Sequence, residues 1–391
     1  MQVHAQTALK DTVLFFVILT FFVVVNCGGG GGESNAEPPL SEFVTVKVFC
    51  GRGVQGTTQG VYSQKRNSVF GYDFSLMSTG YKDLQVRIDG DLTQASENMV
   101  VSDDITIIAT AIPMDELPRF KTNTHTHTTQ SVDGKLSPEQ IVAQYHSLQY
   151  DVLFLTDHNK VTQAASPEGM LVIPGEELTS VNHHANALFA AVTIDPGNRK
   201  PSDYLKDVID SGALPMLNHP VWLFSEWELS DIPQLTGLSL IEIYNASSEL
   251  QGYHDNLTLW DSLLSSGKLW YGVASDDAHK QSEIGIGWIM VQADKLELAS
   301  IKQGITGGFF YSSTGVELCR LDLTEGVVFI ESRNGDVVDF IGNNGTLLLR
   351  TEGPFGQYEV QKDDEYVRVV VTGKNNAKAW TQPLFWRPAP S

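Results

Sequence analysis

Residues 151–159 read DVLFLTDHN. Four apolar residues, Val152 to Leu155, run without alternation between an acid and a threonine. An unbroken apolar run this short, bounded by polar residues, suits a strand buried on both faces, as in a parallel sheet. The run then delivers Asp157 and His158, two side chains fit for metal binding or proton transfer, at its C-terminal end. In barrels and open α/β sheets the C-terminal strand ends share one face, and sites are built there.

The same pattern recurs on either side of this stretch. MLVIP (170–174) leads through Gly175 into Glu176 and Glu177, and VNHHANAL (181–188) sets His183 and His184 at the head of an apolar run. LPMLN (214–218) leads into His219, LIEIY (240–244) into Asn245, and LWYGVAS (269–275) into Asp276, Asp277 and His279. Upstream, NTHTHTTQSVDG (123–134) carries His125 and His127, then Asp133. A separation of two places both histidines on one face of a strand. Helical stretches lie between the runs. In SPEQIVAQYHSLQY (137–150) Ser137 caps, Pro138 suits the first turn, and Gln140 completes a capping box; Ile141, Val142, Tyr145 and Leu148 form one face. DYLKDVIDSG and LWDSLLSSG read the same way, each stopped by Gly. This β–α alternation predicts an α/β domain over residues 114–313, built as a barrel or a doubly wound sheet.

The flanks read differently. Residues 41–113 alternate β-like runs with turns (FVTVKVF, LQVRIDG, ITIIATAI) and predict a small all-β domain. Residues 314–391 predict a second one, with RNGD and GNNG as hairpin turns between GVVFI, VVDFIG, TLLLR and YVRVVVTG. Residues 1–40 stand apart. The apolar run VLFFVILTFFVVV (13–25) is shorter than the roughly 20 residues a bilayer span needs. It suits the core of an export signal. Cys27 follows, then the linker GGGGGESNAEPP. This arrangement resembles the bacterial lipoprotein signal, with Asn26 where that family prefers a small residue. The resemblance implies lipid attachment at Cys27 and a folded part on the periplasmic side of the cell envelope, with the lipid as its only tie to the membrane. In an oxidising compartment Cys50 and Cys319 can form a disulfide or remain separate thiols.

Across 391 residues the formal net charge is −21, with 42% hydrophobic and 19% charged residues. That composition belongs to a folded globular chain. Its acidity argues against long nucleic acid and against anionic membrane surfaces as partners. An anionic substrate would need bound cations to attract it. Many imidazoles and carboxylates crowded at one mouth would themselves be costly without cations. That donor mix suits zinc, iron or manganese.

The segments HTHTTQSVDG, FLTDHN, PGEE, HHANAL, NHP and SDDAH occur in the order found in the polymerase and histidinol phosphatase (PHP) domain, which residues 119–313 resemble. The resemblance implies a metal-dependent phosphoesterase on a distorted seven-stranded β/α (TIM-like) barrel, here flanked by the small all-β regions, with two or three divalent ions. By position in those motifs, His125, His127, Glu177 and Asp277 would hold the first ion. Glu177 would bridge to a second, completed by His184 and His219, and Asp133, His158 and His279 would serve a third. Gly175 favours Glu177 over Glu176, and the following ANAL favours His184 over His183. Asp157 and Asp276 would support neighbouring ligands. The implied chemistry is attack on a small phosphorylated or nucleotide-like ester by a hydroxide shared between two metals. Asp277, His158 and His279 would take catalytic parts, the histidines stabilising or protonating the leaving oxygen. Lys121, Lys160 and Lys280, beside these motifs, would touch phosphate. His146 and His254 read as surface residues, and Tyr244 and Asn245 as either pocket wall or packing. Two other functions remain open: a non-catalytic, envelope-anchored binding protein, and a nuclease of the kind joined to DNA polymerases.

Overall fold

The computed structural model describes residues 42–386, except 51–53, 57–59, 77–80, 89–90, 95, 103–104, 114–117, 181, 223–226, 228–239, 255 and 325. The apolar run at 13–25 and Cys27 therefore lie outside the described residues. No helix among the described residues is long and apolar enough to cross a membrane.

The first strands form two small sheets. One is five-stranded, in the order Gly60–Lys65, Phe43–Cys50, Ile105–Pro113, Tyr81–Ile88 and Asp91–Thr93. The other pairs Ser68–Leu76 with Val54–Gly56 and Ser96–Val101. Alternate residues of these strands, including Val44, Val46, Val48, Phe70, Tyr72 and Val101, share one apolar cluster.

The expected seven-stranded barrel is not what forms. The central strands belong to a 14-stranded mixed sheet that stays open. Val152–Leu155 does pair in parallel with both Arg119–Asn123 and Leu171–Thr179, as its unbroken apolar run requires. His184–Leu188, however, is antiparallel to both of its neighbours, Leu171–Thr179 and Leu214–Leu217. Leu240–Asn245 and Tyr271–Ser275 then follow in parallel. Closing a barrel requires a continuous ladder between the first and last strands. Here the other edge of Arg119–Asn123 is taken by the antiparallel strand Trp288–Gln292, which passes the sheet on to Phe310–Ser313 and then to Lys378–Thr381. Arg119–Asn123 and Tyr271–Ser275 meet only beyond their ends, at an isolated bridge between Thr126 and Ala278.

Helix Pro138–Ser147 carries the expected capping box: the Gln140 amide donates to the Ser137 hydroxyl, and the Ser137 amide to the Gln140 side chain. It packs Ile141, Val142 and Tyr145 onto Leu153 and Leu155 of the strand behind it. Leu148, expected on that face, is exposed because the helix ends there. Helices Pro201–Asp210 and Asn256–Ser265 cover another stretch of sheet through Tyr204, Leu205, Val208, Trp260, Leu263 and Leu264. The C-terminal strand Tyr366–Gly373 is joined to helix Asn256–Ser265 by a buried pair, in which Arg368 donates through Nε and Nη2 to both oxygens of Asp261 at 2.7 Å. Cys319, on the strand Leu318–Thr324, is a free, exposed thiol, and the side chain of Cys50 lies outside the described residues.

Candidate metal centre

The open sheet gathers its polar residues along one edge. Strands running toward that edge contribute from their C-terminal ends; the antiparallel strand His184–Leu188 contributes its first residue. Nine side chains meet there in four overlapping groups: His127, Asp133, His158 and His279; His125, His127 and Asp277; His125, Glu177 and His219; His158, Glu177 and His184. Within each group the donor atoms lie within 4.8 Å of one another.

Glu177 occupies the middle. Its Oε1 is 3.1 Å from His184 Nδ1, 3.2 Å from His219 Nε2 and 3.5 Å from His125 Nε2. Its Oε2 is 2.8 Å from His158 Nδ1 and 3.3 Å from His127 Nε2. The two oxygens of one carboxylate thus address two sets of imidazoles. Asp277 Oδ1 closes the other side, 3.2 Å from His125 Nε2 and 3.1 Å from His127 Nε2. Asp133 Oδ2 lies 3.2 Å from His158 Nε2 and 3.3 Å from His279 Nε2, nearer the opening.

A cation fits this set better than hydrogen bonds do. Glu177 Oε2 and Asp277 Oδ1 are buried yet accept no hydrogen bond, although imidazole nitrogens surround both. His125 Nε2 and His127 Nε2 face each other at 3.2 Å, so a proton on both would clash. Lone pairs converging without donors between them are the arrangement a divalent ion completes, and imidazole with carboxylate suits such ions. The backbone is strained to reach it: His219 has φ 26° and Asp277 φ 50°. For residues with a Cβ such conformations cost about 1–3 kcal/mol each and persist only where the surroundings impose them.

The ligands are held from behind. Asp157 accepts from the Thr128 amide at 2.6 Å, the Thr128 hydroxyl at 2.8 Å and the Ser131 hydroxyl at 2.9 Å. Ser131 Oγ lies 3.1 Å from His127 Nδ1, so Asp157 orients His127 through it. Gly134 lets this loop turn tightly, since a Cβ there would sit 2.0 Å from the Thr128 carbonyl oxygen. Asp276 points away from the cluster and accepts from the amides of Gly285, Ile286 and Gly287 and from the Tyr145 hydroxyl. Burial pushes its carboxyl up to about 6. Glu176 sits on the opposite face of its strand from Glu177, bonded to the Ile194 amide, and burial pushes its carboxyl up to about 7. His183 packs edge-on against Trp227 instead of joining the cluster.

Two supporting residues, Glu242 and Asn218, escaped the sequence reading. Glu242, fully buried in the run LIEIY, lies 2.8 Å from His125 Nδ1 and accepts from the His219 amide at 2.7 Å and from Asn245 at 2.9 Å. The signal was present: an acid inside an otherwise apolar strand must have a partner or face a site. Asn245 donates also to Asp277 and caps the short helix after it, while Tyr244 packs against Trp380. Asn218, likewise missed, donates to Glu177 Oε1 at 2.9 Å. Glu242→Ala is expected to weaken metal affinity by about 10- to 100-fold, the usual size of such outer contacts, as titration of the metal-free protein would measure. Unaltered affinity would remove Glu242 from the centre.

Two of the three lysines do not line the cavity. The Lys121 ammonium sits 4.0 Å over the Tyr150 ring and 4.3 Å over the Trp288 ring, held behind the sheet and not at its mouth. Lys160 pairs with Gln130. Lys280 does line the cavity, beside Glu283, as does Lys135. His146 bonds the Glu168 carbonyl, and His254 pairs with Glu249, both at the surface.

Protonation follows from the crowding. Burial by itself would lower the imidazoles, but the carboxylates overcome it. Glu177 and Asp133 hold His158 up at about 10, and Asp133 and Asp277 hold His279 at about 9. Burial would likewise raise Glu177 and Asp277, and the histidines, His125 foremost, hold both well below the usual carboxylate range. Without cations, protons on the imidazoles balance the acids. Raised imidazoles stabilise the metal-free fold fully below about pH 6.5 and lose that contribution as pH climbs toward 9 and 10. A metal must displace those protons. Metal affinity is therefore expected to rise with pH from 6 toward 9, with proton release detectable by calorimetry in buffers of different ionisation enthalpy. A pH-independent affinity would contradict it.

No protein-family model matches this sequence, and no curated protein sequence matches it. Among solved structures it is similar to a two-domain protein containing a predicted PHP-like metal-dependent phosphoesterase from Bacteroides vulgatus ATCC 8482. The identity is 17% and the TM-score 0.42, over 68% of this chain and 95% of that one. A likeness of that size establishes neither fold nor function for this chain.

Proposed function

We propose that this protein is a metal-dependent phosphoesterase of the PHP type, acting on a small phosphorylated substrate with two or three divalent cations, and that it works on the periplasmic side of the cell envelope, tethered through lipid at Cys27. The observation that carries the reading is Glu177, whose two oxygens face separate imidazole groups within a set of nine donors. Cations sharing such a carboxylate supply a water nucleophile ionised near neutral pH and neutralise phosphoryl oxygens. They also explain how a chain of net charge −21 admits an anion. His125, His127, Glu177, Asp277, His184 and His219 would hold two of them. Asp133, His158 and His279, at the cavity opening, would hold a third; with only two cations the same histidines can pass a proton to the leaving oxygen. A cavity of about 380 Å³ lies over the donors, a size suited to a small molecule and not to a polymer.

The test is direct. Chelation of the purified protein should abolish hydrolysis across a phosphoester panel, and zinc, manganese or iron restored singly should recover it at a stoichiometry of two or three. Undiminished turnover by the stripped protein, or a protein that retains no metal, would end this reading.

A further inference from the structure

The strand Tyr271–Ser275 leads into Asp276, Asp277 and His279, yet among the described residues only one of its edges pairs with a strand, Leu240–Asn245. Gly272 and Ala274, two residues apart, turn their amides to the other edge. There two side chains take the place of a neighbour. The Gly272 amide donates to Gln382 Oε1 at 2.8 Å, and Gln382 Nε2 donates back to the Gly272 carbonyl at 2.8 Å, so the side-chain amide pairs as a peptide group would. The Ala274 amide donates to Ser312 Oγ at 2.8 Å, and that hydroxyl donates to the Gly272 carbonyl at 2.9 Å. Gln382 is 5% exposed and Ser312 0%. They come from adjoining strands: Ser312 lies in Phe310–Ser313, and Gln382 follows Lys378–Thr381, which pairs with it. A buried backbone amide left without a partner is costly, so these bonds fix where the strand can sit.

The strand reaches the donors by two routes. Ser275 donates to Glu242, the carboxylate that holds His125 Nδ1 and the His219 amide. The Asp277 amide donates to the His125 carbonyl at 3.0 Å. We infer that Gln382 and Ser312 are positioning residues for the metal centre: standing in for a missing strand, they set the register of Tyr271–Ser275, and so segments that give the site no donor decide where Asp277 stands. The inference rests on the metal binding of the proposed function and not on the ester hydrolysis.

The experiment titrates zinc into the metal-stripped full chain by calorimetry, in wild type, Gln382→Met, Ser312→Ala and Arg368→Met. Gln382→Met keeps the length and bulk of the side chain and removes both bonds; Ser312→Ala removes the hydroxyl. Zinc affinity should weaken about 10-fold in each, the low end for contacts behind metal ligands. Arg368→Met is the control: it breaks a buried pair elsewhere in the C-terminal region, and its folded form should bind zinc as wild type does. Hydrogen exchange on the metal-free proteins supplies a second reading. Gln382→Met should speed the Gly272, Ala274 and Asp277 amides relative to the rest of the molecule, whereas Arg368→Met should not single them out. Wild-type zinc affinity in Gln382→Met and Ser312→Ala overturns the inference while the phosphoesterase reading stands, and so does an equal loss in Arg368→Met. If Gln382→Met does not fold, Ser312→Ala decides by the same two measurements. If wild type binds no zinc, manganese or iron, the phosphoesterase reading fails, and exchange decides alone: acceleration that stops at Gly272 and Ala274 without reaching Asp277 overturns the inference.

Discussion

On the proposed function, Glu177→Gln should leave a folded protein that no longer retains metal and that loses, by about a thousandfold or more, the phosphoesterase rate of the wild type. Gln keeps the size of Glu and its bond from Asn218 but cannot present two anionic oxygens, one to His184 and His219 and the other to His127 and His158. The loss removes charge stabilisation of several kcal/mol from the transition state, and each 1.4 kcal/mol is tenfold in rate, which sets the expected scale at about 10³. The adjacent Glu176 supplies the control, because it is equally buried but bonded to the Ile194 amide on the opposite face. Glu176→Gln should retain metal at wild-type stoichiometry. Metal analysis and steady-state rates on both variants decide the matter: if the two behave alike, the central place of Glu177 is wrong.

The second large effect concerns stability. Arg368 and Asp261 are 4% and 8% exposed, bonded to each other twice, and Tyr366 Oη donates to Asp261 Oδ1 at 2.7 Å. The Arg368 guanidinium also lies 4.9 Å over the Trp260 ring. Arg368→Met keeps most of the packing but strands a buried carboxylate, at a cost of about 3–5 kcal/mol. The double variant Asp261→Leu with Arg368→Met removes the stranded charge and should recover most of that loss, because well-packed apolar replacements of buried ion pairs are often close to neutral. Denaturant unfolding of the single and double variants measures both. A single variant within 1 kcal/mol of wild type would mean that the pair contributes little to holding helix Asn256–Ser265 to the C-terminal strand.

The gathering of polar side chains at strand ends was readable from local pattern. Short apolar runs ending in His, Asp or Glu announce buried strands that carry polar groups out at their ends, and strand burial is a property of a few consecutive residues. The capping box at Ser137 and Gln140 is legible for the same reason, since all its bonds are made within one turn. Glu242 is hard to read locally because it sits in an otherwise apolar run, and the partner that explains it, His125, lies 117 residues away. Lys121 was misplaced because adjacency to a motif in sequence says nothing about which face of the sheet a side chain leaves by; Tyr150 and Trp288 hold it behind.

What the chain determined by itself was that His, Asp and Glu gather at the ends of buried strands, because residue type and short-range periodicity do not depend on the rest of the molecule; the choice of nine among those residues rested on the resemblance to the PHP domain. Only the tertiary structure decided how those strands are arranged. The reversed direction of His184–Leu188 and the capture of the Arg119–Asn123 edge by Trp288–Gln292 make an open mixed sheet where a closed barrel was expected. Hydrogen bonds between strands distant in sequence set that order, and every apolar run could have satisfied them in more than one way. The same long-range pairing settled that Glu177 and not Glu176 faces the imidazoles, since a strand turns successive side chains to opposite faces and its register with its neighbours chooses between them.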